Sequence, residues 1–301
     1  MHSSGIHWAP NRSIAAQVNA AGDASNQLLY DVAAGGFVGI TRIDLFSSAG
    51  QFREAAITTS PDFVKWSRAV EVLQRNASEA GGKHPRQENS YIVWKPPKSR
   101  VWLSLVTFSE GPKTTWGRFV TELAWSADLH SWHRVCAGTP FIPFGENSTD
   151  GGWDSSMILA AAAPFPDPHD PNRTRVYYVG TDGPWKSRRD NSIGLGWLPT
   201  DHWAGYEAPA AGAAARVMTV PIAVRRLSVR LTVDVTAASG GWVMATITGP
   251  SEQGGKQTVA SRRIVESMVD GHLLELPGLW LGQQVVLHFS FSGAVVFGFS
   301  V

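Results

Sequence analysis

The sequence predicts an all-β protein, a partial β-propeller of four-stranded blades followed by an antiparallel β-sandwich. Three observations carry this expectation. A Ser-x-Asp-x-x-x-Trp motif recurs, as Ser60, Asp62 and Trp66 in "TTSPDFVKWSR" and as Ser126, Asp128 and Trp132 in "ELAWSADLHSWHR". Composition points the same way: 30 Gly, 18 Pro and 13 Trp in 301 residues, with 17% charged, fit short strands joined by many turns. Finally, the pattern changes after the small-residue stretch "EAPAAGAAAR" to alternation with period two.

The repeat sets the domain organisation. A worn copy of the motif stands in "HSSGIHWAP", where Ser4 replaces the Asp and Trp8 is kept, and a shifted one has Asp201 and Trp203. Self-similarity at ~58 to 71 residues indicates an array of supersecondary units, and units of that length suit propeller blades. Blades are expected over 1–207, a linker over 208–213 and the sandwich over 214–301.

Taken in order, "QLLYDVAAGGFVGITRI" reads as a hairpin around Gly35 and Gly36, and "SYIVWKPPKSRVWLSLVTF" as a second around Pro96, Pro97 and Lys98. "DFVKWSRAVEVLQ" fits a short helix or an extended strand. "RTRVYYVGTDG" and "NSIGLGWLPTDHW" form a third strand–turn–strand unit. In the last region "RLSVRLTVDV" places Leu227, Val229, Leu231, Val233 and Val235 on one face, and "GWVMATITG", "HLLELPG", "QQVVLHFSFSG" and "AVVFGFSV" follow at sandwich-like spacing.

Composition excludes several function classes. A net charge of +1 without a long basic run gives no footprint for nucleic acid or an anionic membrane, so neither is expected as a partner. No run of eighteen apolar residues exists to span a bilayer. The lone Cys136 allows no intrachain disulfide and reads as a small buried hydrophobe. Asn-x-Ser/Thr sequons at Asn11, Asn76, Asn147 and Asn172 point to surface exposure in a secreted protein. No phosphate loop, nucleophile elbow or dinucleotide fingerprint occurs. His84, His130 and His133 lack metal-ligand spacing, so no metal or cofactor is expected; a structural calcium in "TDGGWD" or "DPHDPN" has no loop motif behind it.

The segments "SSGIHW", "GDASNQLLYD", "GGFVGITR", "TTSPDFVKW", "ELAWSADLHSWHRV", "GWDSSMI" and "RVYYVGTDG", in that order, resemble the five-bladed β-propeller proteins similar to glycoside hydrolase families 32 and 43. The tail from "RVMTVPI" to "FGFSV" looks like the sandwich that follows many such propellers. The resemblance spans nearly the whole chain. It implies a glycosidase acting on an oligo- or polysaccharide, secreted in its full-length form. It also implies five blades where this chain supplies about three and the end of another, so the expectation is an N-terminally truncated chain.

Glycoside cleavage needs one carboxyl group to protonate the leaving oxygen and another to act as base or nucleophile. In a propeller these acids project into the axial funnel, one per blade, just before the inner strand. Asp23 in "GDASNQLLY", Glu88 in "RQENSYIVW" and Asp154 in "GGWDSSMILAAAAP" are the catalytic candidates, spaced 65 and 66 residues apart. Asp23 and Asp154 resemble the family's "D-x-x-N" and "W-D-x-x-M-I" segments; Glu88 matches less well. Each fits a turn-capping loop acid as well. Arg42 is a candidate to pair with an acid or bind sugar hydroxyls, and Trp94 and Trp153 are candidates to stack on sugar rings. Two other readings stay open: a non-catalytic carbohydrate-binding or scaffold propeller, and a sialidase-like Asp-box propeller. The last lacks an assembled arginine triad and tyrosine nucleophile. The repeated Ser-x-Asp…Trp motif itself is expected to cap turns and pin strands, so Asp128 is not a catalytic candidate.

Overall fold

The computed structural model describes residues 26–32, 34–47, 50–73, 87–97, 99–110, 117–145, 152–186, 188–208, 212–236 and 240–301. Among them the secondary structure is strand throughout, apart from one 3-10 turn at Gly278–Trp280. The protein is a partial β-propeller followed by an antiparallel β-sandwich. Two compact units are present: the described residues up to Phe165 with Arg175–Trp197, and Pro166–Thr174 with Leu198–Val301.

In the first unit, β1 (Gln27–Asp31), β2 (Gly36–Ser47), β3 (Gly50–Ser60) and β4 (Val70–Glu71) form an antiparallel four-stranded sheet in chain order. The β1–β2 turn uses Gly35 at φ +64°, a left-handed conformation that glycine adopts without steric cost. A second chain-ordered run, β5 (Gln87–Trp94), β6 (Trp102–Glu110), β7 (Arg118–Ser126) and β8 (Trp132–Arg134), repeats the design. A third group is built around β11 (Arg173–Thr181), which pairs with β9 (Met157–Ala160), β10 (Phe165–Pro166) and β12 (Asn191–Pro199). A parallel pair, Phe119 with Met157, joins the second and third groups into one eight-stranded sheet.

Side chains add to the ladder bonds between sheets. The Gln27 amide donates to the Val93 carbonyl at 2.5 Å and accepts from the Val93 N–H at 2.8 Å. The buried Tyr91 hydroxyl accepts from Ala56 N–H and donates to Ala56 C=O, at 3.0 and 2.6 Å. Within the eight-stranded sheet, Thr121 of β7 donates to the Ile158 carbonyl of β9 at 2.6 Å. A buried apolar cluster including Val38, Ile40, Ile57, Tyr91, Val106, Phe108 and Leu129 fills the space between the first two sheets.

The two full copies of the Ser-x-Asp…Trp motif adopt one structure. At the first, Asp62 Oδ1 accepts N–H bonds from Val64 and Lys65 at 2.9 and 2.8 Å and a hydroxyl bond from Ser60 at 3.2 Å. Trp66 Nε1 donates to Phe63 C=O at 3.0 Å. At the second, Asp128 Oδ1 accepts from His130 and Ser131 N–H, both at 2.8 Å, and from Ser126 at 3.1 Å, while Trp132 Nε1 donates to Leu129 C=O at 2.8 Å. Phe63 and Leu129, the residues after each Asp, share a left-handed backbone at φ 64° and 68°. Backbone N–H donors, that of Lys65 first for Asp62 and that of Ser131 first for Asp128, hold both carboxyls below the usual carboxylate range. The motif is therefore a turn scaffold with its acid spent on backbone amides, as the sequence predicts. In the shifted copy the left-handed backbone falls on Asp201 itself, at φ 63°, and not on the residue after the acid.

The second unit holds the sandwich. One sheet has the order β13 (Tyr206–Glu207), β21 (Ala294–Ser300), β16 (Ser228–Val235), β19 (Met268–Glu275). The other has β14 (Ala215–Met218), β20 (Gln284–Ser292), β17 (Trp242–Pro250), β18 (Lys256–Ala260), with β15 (Ile222–Ala223) also on β20. Val229, Leu231 and Val233, on the face the alternation selects, are fully buried with Val243, Ile247, Leu287 and Phe291. The flanking Leu227 and Val235 pack at the edge of this core. Trp280 is also fully buried; its indole lies on Gly249 and its Nε1 donates to Pro250 C=O at 2.6 Å.

Candidate functional site

The segment before β9 turns on itself: Ser155 N–H bonds Gly152 C=O at 3.0 Å, which places Trp153 and Asp154 on a tight turn. Two backbone bonds anchor that turn, from Ser156 N–H to Thr181 C=O at 2.9 Å and from Phe119 N–H to Ser156 C=O at 3.2 Å. Asp154 thereby sits at the start of the strand that pairs with β11, in the register Met157–Thr181 to Ala160–Tyr178. It is 9% exposed, unusual for a loop acid.

Tyr178 completes the environment. Its hydroxyl donates to Asp154 Oδ2 at 2.7 Å, and its ring stacks on Trp153 with centroids 5.7 Å apart and planes 14° from parallel. Burial first, and then the hydrogen bond and charge of Asp154, raise the Tyr178 phenol from its ordinary value near 10 to about 12. The phenol is thus neutral, and a donor, across the physiological range.

Three glycines make room for this group. A methyl on Gly180 would lie 2.4 Å from both Asp154 Cβ and Trp153 Cζ3. One on Gly194 would lie 2.3 Å from Tyr178 Cζ, and one on Gly145 would meet Asp154 Oδ1. Tyr178 and Gly180 are two residues apart on β11 and so share a face, where the glycine leaves space for the indole. Trp153 remains 36% exposed, so the group offers a carboxylate beside a partly open aromatic ring. Such a carboxylate can accept a proton or stabilise a developing cation, and such a ring can lie against the apolar face of a sugar.

The other sequence candidates lie elsewhere or outside the described residues. Asp23 is outside them. The Glu88 backbone lies in β5 opposite Phe108, where the ladder slips register between Glu88 and Ser90; its side chain is outside the description. Trp94 ends β5 and is 8% exposed. Arg42 is buried in β2, with Nε 3.3 Å from Asp44 Oδ1, so of its two expected roles the pairing with an acid is present. "DPHDPN" uses its acids on its own turn: Asp167 accepts from His169 N–H, and Asp170 accepts from Asn172 N–H and pairs with Arg173. Cys136, expected to be buried, is exposed; it sits in the loop after β8 in a left-handed backbone at φ 49°. Among the described residues no group of three or more His, Cys, Asp or Glu is arranged to hold a metal ion, and no helix is long and apolar enough to cross a membrane.

Sequence reasoning missed Tyr178 and the three glycines. The signal lies in "YYVGTDG" and "NSIGLG", where glycines interrupt strands at alternate positions, the mark of a close approach. It also missed Glu122, fully buried in the stretch that carries the second motif. Arg134 binds Glu122 Oε2 through Nε and Nη2 at 2.8 and 2.5 Å, and Gly138 N–H donates to Oε1 at 3.1 Å. The position equivalent to Glu122 in the first repeat is Ala56, and that equivalent to Arg134 is the exposed Arg68, so the first repeat lacks this ion pair.

No model of a known protein family matches the chain, and no curated protein matches it. Solved structures similar to it include an N-acetylgalactosamine deacetylase from F. plautii in complex with blood group B trisaccharide, at 16% identity and a TM-score of 0.44. That match covers 59% of this chain and 50% of the other. A family 117 glycoside hydrolase produced by Zobellia galactanivorans is 11% identical at a TM-score of 0.42, covering 89% and 84%. A family 32 β-fructofuranosidase from Bombyx mori is 9% identical at 0.36, covering 91% and 78%. This chain spans about half the length of the deacetylase, and 45% of the length of a further similar structure described as a glycoside hydrolase.

Proposed function

We propose that the protein is a glycoside hydrolase in which Asp154 is one carboxylate of the catalytic pair and Trp153 lines the bound sugar. The observation that carries this reading is the nearly buried Asp154 carboxyl, held by the Tyr178 hydroxyl at 2.7 Å beside a partly exposed tryptophan. An acid with a purely turn-capping role bonds groups of its own turn, as Asp62 and Asp128 do with two backbone amides and the serine hydroxyl two residues before. Asp154 Oδ2 instead receives a side-chain hydroxyl from a neighbouring strand.

In this reading Asp154, whose Oδ2 accepts the Tyr178 hydroxyl, serves as the base, the nucleophile or the stabiliser of an oxocarbenium-like transition state. The proton donor to the leaving oxygen must then be a second carboxyl, and Glu88 and Asp23 are the residues the repeat offers. The test is hydrolysis of a panel of nitrophenyl glycosides and polysaccharides by the parent and by Asp23→Asn, Glu88→Gln and Asp154→Asn. Loss of about 10²-fold or more in kcat for Asp154→Asn and for one of the other two supports the pair. Activity unchanged in all three overturns the site.

A further inference from the structure

We propose that the sandwich carries a second carbohydrate site, selective for acidic sugars, on the outer face of the sheet formed by β14, β20, β17 and β18. Strand alternation builds this face. Val285, Leu287 and Phe289 of β20 are buried in the core, so Val286 and His288 project the other way; in β17 Ile247 is buried and Thr248 projects outward. The register sets Met218 opposite His288 and Val286 opposite Thr248, with Pro250 opposite Lys256 at the sheet edge.

These residues line a cleft of about 720 Å³, a volume within the range of small-ligand sites. Its chemistry is that of a sugar site with one charge preference. Met218, 66% exposed, and Val286 supply an apolar strip on which the C–H face of a ring can lie. Thr248 and Gln284 supply hydroxyl and amide groups matched to sugar hydroxyls, and the Thr248 hydroxyl is already positioned 3.1 Å from that of Thr258. Lys256 and His288 are the titratable residues of the lining, and no carboxylate is among the lining residues. A ligand carboxylate therefore meets an ammonium and an imidazole in a cleft that no carboxylate lines, Glu252 of the same hairpin lying outside the lining, whereas a neutral sugar leaves the ammonium unused. The class of ligand that fits is a uronate oligosaccharide.

Calorimetric titration of the full chain with tri-galacturonate and with neutral maltotriose tests this site. The parent, Lys256→Gln, Lys256→Glu, His288→Ala and Asp154→Asn are compared. Lys256 is exposed on a hairpin, so its variants keep the fold. The expected result is tri-galacturonate binding at least tenfold tighter than maltotriose. It weakens about tenfold in Lys256→Gln and further in Lys256→Glu, weakens in His288→Ala and with added salt, and is unchanged in Asp154→Asn. Absence of tri-galacturonate binding, equal binding of the neutral sugar, or binding lost in Asp154→Asn but kept in Lys256→Glu would overturn the proposal. None of these outcomes touches hydrolysis at Asp154, which is read separately.

Discussion

Leu129 and Phe63 occupy equivalent places in two copies of one turn, and their left-handed backbones make an unusual prediction. Leu129 is 1% exposed and belongs to the core between the first two sheets. Truncating it to Ala removes that packing at a cost of about 2–5 kcal/mol while keeping a Cβ at φ 68°. A Cβ in this region costs roughly 1–2 kcal/mol, a penalty glycine escapes. Leu129→Gly is therefore expected to be more stable than Leu129→Ala by about 1 kcal/mol, the reverse of the usual order within strands and helices. Phe63 is 39% exposed and makes edge contacts with Phe37 and Trp66, at centroid distances of 5.2 and 5.6 Å, each worth about 0.5–1.5 kcal/mol. Both truncations lose those contacts, so Phe63→Gly again exceeds Phe63→Ala by about 1 kcal/mol, but with a smaller total loss than at position 129. Equilibrium urea unfolding of the four variants, followed by tryptophan fluorescence, measures both differences. Alanine as stable as glycine at both positions would refute the reasoning.

Other expectations follow from the same structure. Gly180→Ala puts a methyl more than 1 Å inside normal carbon contact with Trp153 and Asp154, so it should cost about 1–3 kcal/mol by urea unfolding and weaken sugar binding at that site. Arg134→Ala leaves the fully buried Glu122 carboxylate without its cation and should cost about 3–5 kcal/mol, whereas Arg68→Ala, on the exposed equivalent position, should change stability by less than about 0.5 kcal/mol. The Tyr178 phenol is raised in the folded state, so its contribution to stability is full below pH ~10 and is lost as pH rises toward about 12. Phenolate absorbance should show this residue titrating earlier in Asp154→Asn, yet still above its ordinary value because burial is the larger cause; an unchanged titration would remove the coupling.

Much of the fold is written in local patterns. Alternation from Leu227 to Val235 predicts the buried face of β16, because one covered side of a sheet demands period two. The repeated Ser-x-Asp…Trp motif is equally legible, since each of its hydrogen bonds spans three residues or fewer. The candidate site is only half legible. Asp154 and Trp153 stand out as an acid and an aromatic in phase with the repeat, but Tyr178 reaches Asp154 across 24 residues and Gly194 enters from a further strand. Nothing local marks Tyr178 apart from Tyr177 beside it; which one faces Asp154 is decided by the β9–β11 register. The Glu122–Arg134 pair was hidden for a related reason, since a buried ion pair shows only when its depth is known.

The central claim is that the Asp154 carboxylate acts on a sugar held at Trp153. The most direct test titrates an oligosaccharide that the parent cleaves onto Asp154→Asn, measuring affinity and turnover on the same sample. The account predicts affinity within a few-fold of the parent's KM and turnover reduced by about 10²-fold or more. Turnover equal to that of the parent, at unchanged affinity, would contradict it.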